Sequence, residues 1–401
     1  MKSKLLSIVV CSLIFSSGCN SAKTNVQNRG SQKIDYAVEM SETIMHKWPD
    51  SLGRLDGKSA GWSYDIGLYL EAISNVYART GDEAYFTYIQ QQMDRFLLPD
   101  GRIKYYTPES YNIDYVRNGK ILLYLYEKAG DQKYADAAKY VRQQLYTHPR
   151  TSEGGFWHKK RYPHQMWLDG LYMGQPFYTH YSQLFNEPEN FDDIAKQFIL
   201  MEKHSRNAET GLLHHGWDES REQLWADKET GKSPNIWGRA MGWYGVALVD
   251  VLDYFPKDHP QHETLLAILE RYVEAIAKVQ HPTKGVWYQV VDKVDKKGNY
   301  PEASGSSMFV YTLLKASRLG YIPASYQEIG KKGYQGLINE FIEKGDDGYY
   351  HLNGTVMVSG LGGDDNYRDG SFAYYMSEPV IQDDPKGMGA FILAANEAML
   401  L

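Results

Sequence analysis

Val76-Tyr77-Ala78-Arg79-Thr80-Gly81-Asp82, followed by Tyr85, and Leu125-Tyr126-Glu127-Lys128-Ala129-Gly130-Asp131, followed by Tyr134, are two copies of one local pattern. Each reads as a helix that ends on a glycine and hands over to an aspartate capping the next helix. Looser versions recur at Leu184-Phe185-Asn186-Glu187-Pro188, Leu252-Asp253-Tyr254-Phe255-Pro256 and Ala316-Ser317-Arg318-Leu319-Gly320. Helix–turn–helix joints at roughly 50–70-residue spacing mark a helical repeat. Working outward from them, apolar residues at a period of 3.6 predict twelve helices. They lie near 34–48, 63–80, 82–96, 111–129, 131–147, 165–186, 190–205, 236–254, 260–280, 303–319, 324–343 and 386–399. Closed into six hairpins, they make an all-α fold, an (α/α)6 barrel. The stretch 348–375, rich in Gly, Tyr and Asp, breaks the pattern and reads as strands or a long loop.

The even-numbered helices are the expected inner ring, because each runs into a tight turn and a more polar return helix. Their starts carry unusual residues: Gly61-Trp62-Ser63-Tyr64-Asp65, Tyr111-Asn112-Ile113-Asp114-Tyr115, Trp167-Leu168-Asp169, Ile236-Trp237-Gly238-Arg239, Glu302-Ala303-Ser304-Gly305 and Asp383-Asp384-Pro385-Lys386-Gly387. In a ring of parallel inner helices these starts share one mouth, and the positive ends of their dipoles favour an anionic ligand there. Asp169 stands out within Met166-Trp167-Leu168-Asp169-Gly170-Leu171-Tyr172-Met173-Gly174. A carboxylate in so apolar a run needs either a raised pKa or a partner. A group of that kind suits acid/base chemistry; the alternative is a helix N-cap.

The chain has 401 residues and a formal charge of −7, which argues against nucleic acid as a partner. Its 33 Tyr and 9 Trp suit sugar rings, though helical cores use them too. Lys2, Lys4 and the apolar Leu5–Phe15 read as a secretory signal over 1–18. Ser16-Ser17-Gly18-Cys19 resembles a lipoprotein box with lipid on Cys19, and 19–33 reads as a flexible tether before a single domain, 34–401. The expectation is an exported bacterial lipoprotein, periplasmic or outer-membrane associated, touching the membrane through its lipid only. Cys11 and Cys19 are the only cysteines, so the mature domain has no disulfide and no cysteine metal site. No cofactor, metal or protein partner is expected. Asp364-Asp365 and Asp383-Asp384 lack the ligand spacing of a calcium loop.

Taken together, Trp167-Leu168-Asp169-Gly170, Trp237-Gly238-Arg239-Ala240-Met241-Gly242-Trp243, Gly155-Phe156-Trp157-His158-Lys159, Gly211-Leu212-Leu213-His214-His215-Gly216-Trp217 and Glu302-Ala303-Ser304-Gly305 resemble glycoside hydrolase family 105. These are the unsaturated rhamnogalacturonyl hydrolases and their relatives, related to family 88. The resemblance runs over about 34–401 and implies an (α/α)6 fold. It also implies hydration of a 4,5-unsaturated uronic acid at the non-reducing end of a lyase product of rhamnogalacturonan or ulvan type. An aspartate protonates C4, water adds at C5, and the hemiketal opens to release the next sugar.

Residue by residue, the resemblance makes Asp169 the general acid/base and Asp114 its supporting carboxylate, raising or orienting it. His215, Arg239 and Trp243 fall around the uronyl ring. Arg239 suits a bidentate carboxylate pair, with a structural ion pair as the alternative. Trp62 and Trp237 are candidate stacking platforms, with core packing as the alternative. Tyr64 is a further substrate-binding candidate at the second helix start. His158 and Lys159 are candidates for holding substrate charge or the attacking water. His214 competes with His215, and the glycine after His215 favours the latter. Tyr115 departs from relatives that carry a second acidic residue there. Other readings are an inverting glycosidase or sugar epimerase, with Glu302 as a second carboxylate, and a non-catalytic oligosaccharide-binding lipoprotein.

Overall fold

The glycine-and-aspartate joints fold as helical corners. Gly81 and Gly130 take φ of 71° and 69°, a left-handed conformation that costs an ordinary residue roughly 1–2 kcal/mol. Asp82 and Asp131 then accept from the backbone N–H groups of Ala84 and Lys133 to start the next helices. The computed structural model of the protein describes residues 34–52, 61–363 and 366–401. The expected signal segment, the whole tether with Cys19, and Asp364-Asp365 lie outside the described residues. Asp35–Leu401 is one compact unit.

Its helices are α1 (Tyr36–Lys47), α2 (Tyr64–Thr80), α3 (Glu83–Asp94), α4 (Gly119–Ala129), α5 (Gln132–Thr147), α6 (Leu168–Leu184), α7 (Asn190–Ser205), α8 (Gly238–Leu252), α9 (His262–Lys278), α10 (Ala303–Arg318), α11 (Tyr326–Phe341), α12 (Phe372–Ser377) and α13 (Pro385–Met399). α2, α4, α6, α8, α10 and α13 form the inner ring, each packed on the next and α13 closing against α2. The other long helices stand outside, each against an inner one. Every residue of α8 is buried. An outer helix such as α9 buries one face, His262, Leu265, Ile268, Leu269, Tyr272, Val273, Ala275 and Ile276, the spacing of an amphipathic helix on a core. The architecture is the (α/α)6 barrel.

Two predicted helices begin differently. The fourth opens as a 3-10 turn, Ile113–Asn118, before α4. The sixth is preceded by a strand, β1 (Gln165–Trp167), paired antiparallel with β2 (Gly216–Asp218). Its apolar residues fit a helical period, but their backbone groups find partners across this pair instead. The irregular stretch and its flanks supply short antiparallel pairs, β3 (Ile342–Lys344), which starts where the eleventh helix is expected to end, with β4 (Tyr350–Leu352), and β5 (Thr355–Val356) with β6 (Val380–Ile381), and the extra helix α12.

The barrel interior holds charges as well as apolar side chains. Asp250 accepts from Lys120 Nζ and Lys315 Nζ, both at 2.7 Å, and from the Tyr311 hydroxyl at 2.8 Å. Lys120 also meets Glu71, which pairs with Arg117. Lys315 also meets Asp253 at 2.6 Å. Burial pushes the Asp250 pKa up, but the two ammonium groups outweigh it and hold the carboxyl below its ordinary range. Arg117 also donates to the Tyr172 hydroxyl of α6 at 2.6 Å, so the network ties five of the six inner helices together.

Candidate active site

Short backbone pairings assemble the mouth. β1 and β2 set Trp167 opposite Gly216, and the Leu168 N–H donates to the His215 carbonyl at 3.0 Å. This brings His215 Nε2 to 3.2 Å from Asp169 Oδ2, although neither atom has the alignment of a hydrogen bond. Asn112 bridges Lys159, and the Ile113 N–H donates to the His158 carbonyl at 3.2 Å. Asp114 therefore meets Lys159 Nζ at 2.5 Å and His158 Nε2 at 3.5 Å. The glycine after Asp169 has a steric reason: a Cβ on Gly170 would lie 3.3 Å from His158 Nδ1.

Asp169 takes the second of its two options, a partner. Burial raises its pKa, but the neighbouring His215, and then His158, outweigh it, and the pKa lies below the ordinary carboxylate value. Asp114 does not bring it above that value; its own carboxylate pairs with Lys159. His215 is fully buried, and its Nδ1 lies 2.9 Å from the Tyr375 hydroxyl. A carboxylate only accepts, so the proton sits on Nε2, facing Asp169, and Nδ1 accepts from Tyr375. Burial holds the Tyr375 phenol well above its ordinary pKa, so it keeps that proton. Trp167 locks the set, stacked on His158 at 4.3 Å and edge-on to His215.

The other expected residues divide. Burial brings His158 down to about 4, so it is neutral and carries no charge for a substrate. Arg239, 1% exposed, makes no ion pair with a carboxylate among the described residues, so the structural pair is absent there. It donates to Ser304 Oγ at 3.2 Å and to the carbonyls of Val356 and Met357 at 2.6 and 3.3 Å. Its guanidinium lies over Trp237, which packs beside His215 and Tyr375. Trp237 thus walls the site while remaining buried. Trp243 is a core residue, stacked on Tyr172 and edge-on to the half-buried Tyr64. Trp62 is not a platform: it donates to the Tyr115 carbonyl at 2.8 Å and packs on Phe96 and Tyr106. Glu302 is not free to act as a second carboxylate. It caps α10 through Gly305 and accepts from Ser304 and the Val356 N–H. His214 turns to the Ser233 carbonyl at 2.6 Å, away from Asp169.

Sequence reasoning missed Tyr375, which lies in the irregular stretch and shows no signal there. It also missed Asp65, in the first turn of α2, whose Oδ1 is buried without a partner. Burial raises the Asp65 pKa, with Lys386 opposing and Asp384 adding. Its position at an inner-helix start was the available signal. Among the described residues no group of three or more His, Cys, Asp or Glu is arranged to hold a metal ion.

Comparison with known proteins agrees with this picture. The family model for Glycosyl Hydrolase Family 88 matches residues 36–401. A family 105 glycoside hydrolase of C. acetobutylicum ATCC 824 is 48% identical, with a TM-score of 0.88 over 92% of this chain and 100% of that one. A 24.9 kDa protein of the picA locus of Rhizobium radiobacter is 41% identical over 236 residues, 57% of this chain and 99% of that protein. The unsaturated 3S-rhamnoglycuronyl hydrolase of Formosa agariphila is 23% identical over 242 residues, 59% of this chain and 58% of that protein.

Proposed function

The chain belongs to glycosyl hydrolase family 88 and its family 105 relatives, and from that premise we propose that it removes a 4,5-unsaturated uronic acid from the non-reducing end of lyase-generated oligosaccharides. The observation that carries this reading is the carboxylate of Asp169, 13% exposed at its side chain, beside His215 at the start of α6. A rhamnogalacturonan or ulvan origin is what the family resemblance supports, and the Formosa agariphila relative is named an unsaturated 3S-rhamnoglycuronyl hydrolase.

The chemistry is addition of water across an enol ether. Asp169, protonated, gives its proton to C4. Positive charge develops at C5 and the ring oxygen, and water adds at C5 while Asp169, now a carboxylate, takes a proton from it. The acid is restored, one water is consumed, and the C5 hemiketal opens to expel the next sugar. The free enzyme holds Asp169 ionised, so the substrate itself must supply the shift. Its carboxylate brings a like charge and its ring excludes water, and both push the Asp169 pKa up. The Nε2–H of His215 then stabilises the carboxylate that forms as the proton leaves, an interaction stronger in the transition state than before it. The buried Arg239 charge and the inner-helix N-termini favour the uronate in the mouth.

The test is optical. The enol ether absorbs in the near ultraviolet, and wild type is expected to remove that absorbance from lyase-digested pectin or ulvan. Asp169→Asn should cost at least about a hundredfold, the low end for general acid–base catalysis. Reducing ends appearing while absorbance stays would sink the hydration reading.

A further inference from the structure

Beside the mouth lies a cleft of about 810 Å³, walled among the described residues by the 161–162 loop, Gln223, Gly363 and parts of 366–378. Two of its residues adjoin the candidate active site. The Tyr162 ring stacks on Trp167 at 5.0 Å, and Trp167 is edge-on to His215. Tyr374 precedes Tyr375, the hydrogen-bond partner of His215.

The cleft gathers positive charge on one point. Arg161 Nη2 and Arg368 Nη2 each donate to the Tyr162 hydroxyl oxygen at 2.8 Å. That oxygen accepts twice, so its own O–H is left to donate outward. Neither arginine is ion-paired with a carboxylate among the described residues. Arg368 is held in place, with Nε donating to the Gly362 carbonyl at 2.8 Å and Nη2 reaching the Leu361 carbonyl at 3.3 Å. Two guanidinium groups converging on a neutral phenol repel each other, and an anion between them would relieve that repulsion. Their planar forks suit a tetrahedral oxyanion or a carboxylate. Among the described residues the lining carries one carboxylate, Glu378, on the side of Tyr374, against the two guanidinium groups at Tyr162.

We propose that this cleft is a subsite for an anionic substituent, a sulfate ester or a carboxylate, on a sugar beyond the bond that is broken. It rests on the reading of Asp169 for where that bond lies. The probes are three unsaturated oligosaccharides of equal length whose following sugars are sulfated, carboxylated or neutral. Wild type is expected to show a kcat/KM about tenfold higher on one charged substrate than on the neutral one, and the winning arm identifies the group. Arg161→Gln should bring that substrate down to the neutral level. The exposed Arg161 contacts Tyr162 alone in side-chain hydrogen bonding, so the fold is not at risk. Arg368→Lys keeps the charge and loses the fork, and should lose part of the advantage. Titration calorimetry with the same oligosaccharides after hydrogenation of the double bond reads binding without turnover. Binding of the charged form about tenfold tighter than the neutral one, lost in Arg161→Gln, supports the subsite even if no substrate loses absorbance; that combination would overturn the hydration reading alone. Equal kcat/KM on all three substrates, with equal calorimetric affinities in wild type and Arg161→Gln, would overturn the subsite.

Discussion

Tyr375→Phe removes a single oxygen, the one 2.9 Å from His215 Nδ1. The ring that remains fills the same space between Trp237 and His215, so packing changes little. The consequence is chemical. His215 is fully buried, so no water replaces the lost donor. A buried polar atom left without its partner costs about 1–3 kcal/mol. It also loosens the ring whose Nε2–H must meet Asp169 as charge develops on it. If that cost falls on the transition state, kcat drops by roughly fivefold to 150-fold, at 1.36 kcal/mol per factor of ten. KM should hold within about twofold, because Tyr375 makes no contact that a bound sugar needs. The assay is steady-state loss of near-ultraviolet absorbance, with circular dichroism to confirm the fold. A kcat within twofold of wild type would refute the claim that Tyr375 sets the His215 tautomer. A rise in KM with unchanged kcat would assign the hydroxyl to substrate binding instead.

Two further outcomes are expected. His215 and its neighbours hold free Asp169 below the ordinary carboxylate range, so kcat/KM should fall about tenfold per pH unit above that range, while kcat, set in the complex, holds to higher pH before falling; identical midpoints for the two would contradict a substrate-induced shift. Asp250→Asn should destabilise the barrel by about 3–5 kcal/mol, since it leaves buried lysines short of one carboxylate; with an unfolding entropy of roughly 0.8 kcal/mol/K for a unit of this size, Tm falls by about 4–6 °C. The Asp250 pKa is depressed in the fold, so its contribution is full above the unfolded carboxylate pKa of about 3.9 and disappears as pH falls through the folded value. Thermal scans from pH 7 downward should show a constant gap between wild type and variant that closes only in acid, and a variant as stable as wild type at neutral pH would remove the network from the list of stabilising features.

The barrel was legible because its grammar is local. Gly81-Asp82 and Gly130-Asp131 mark helix ends by chemistry confined to a few residues. Asp169 was legible for the same reason, as a carboxylate at odds with its immediate surroundings. What escaped depends on distant partners. Nothing near Asp169 announces that β1 pairs with β2, yet that pairing delivers His215 and reverses the direction of the carboxyl's pKa. Trp62 and Tyr64 stand two residues apart, and the turn into α2 sends the first into the core and leaves the second half-buried. Arg239 was readable as a cation, but the carbonyls that hold it come from the irregular 356–357 segment. Helical periodicity decides which face is buried; it does not decide which segment lies opposite.

The rim of the mouth has its own fastening. Tyr162, Trp167, Trp225, Ala226 and Leu361 form a small hydrophobic cluster distinct from the main core, while Met166 and Leu168, on either side of Trp167, belong to the main one. The loops that carry Arg161 and Arg368 are thus moored in part through this cluster and its two indoles, Trp167 and Trp225, beside backbone ties such as Asn235 to the Gly370 carbonyl at 2.7 Å. Such mooring lets those loops be exchanged, lengthened or recharged over evolutionary time without repacking a single inner helix. It also names the residue that cannot take part in that turnover: Trp167 anchors the replaceable rim and braces His158 and His215 at once, so drift in substrate preference has to proceed around it.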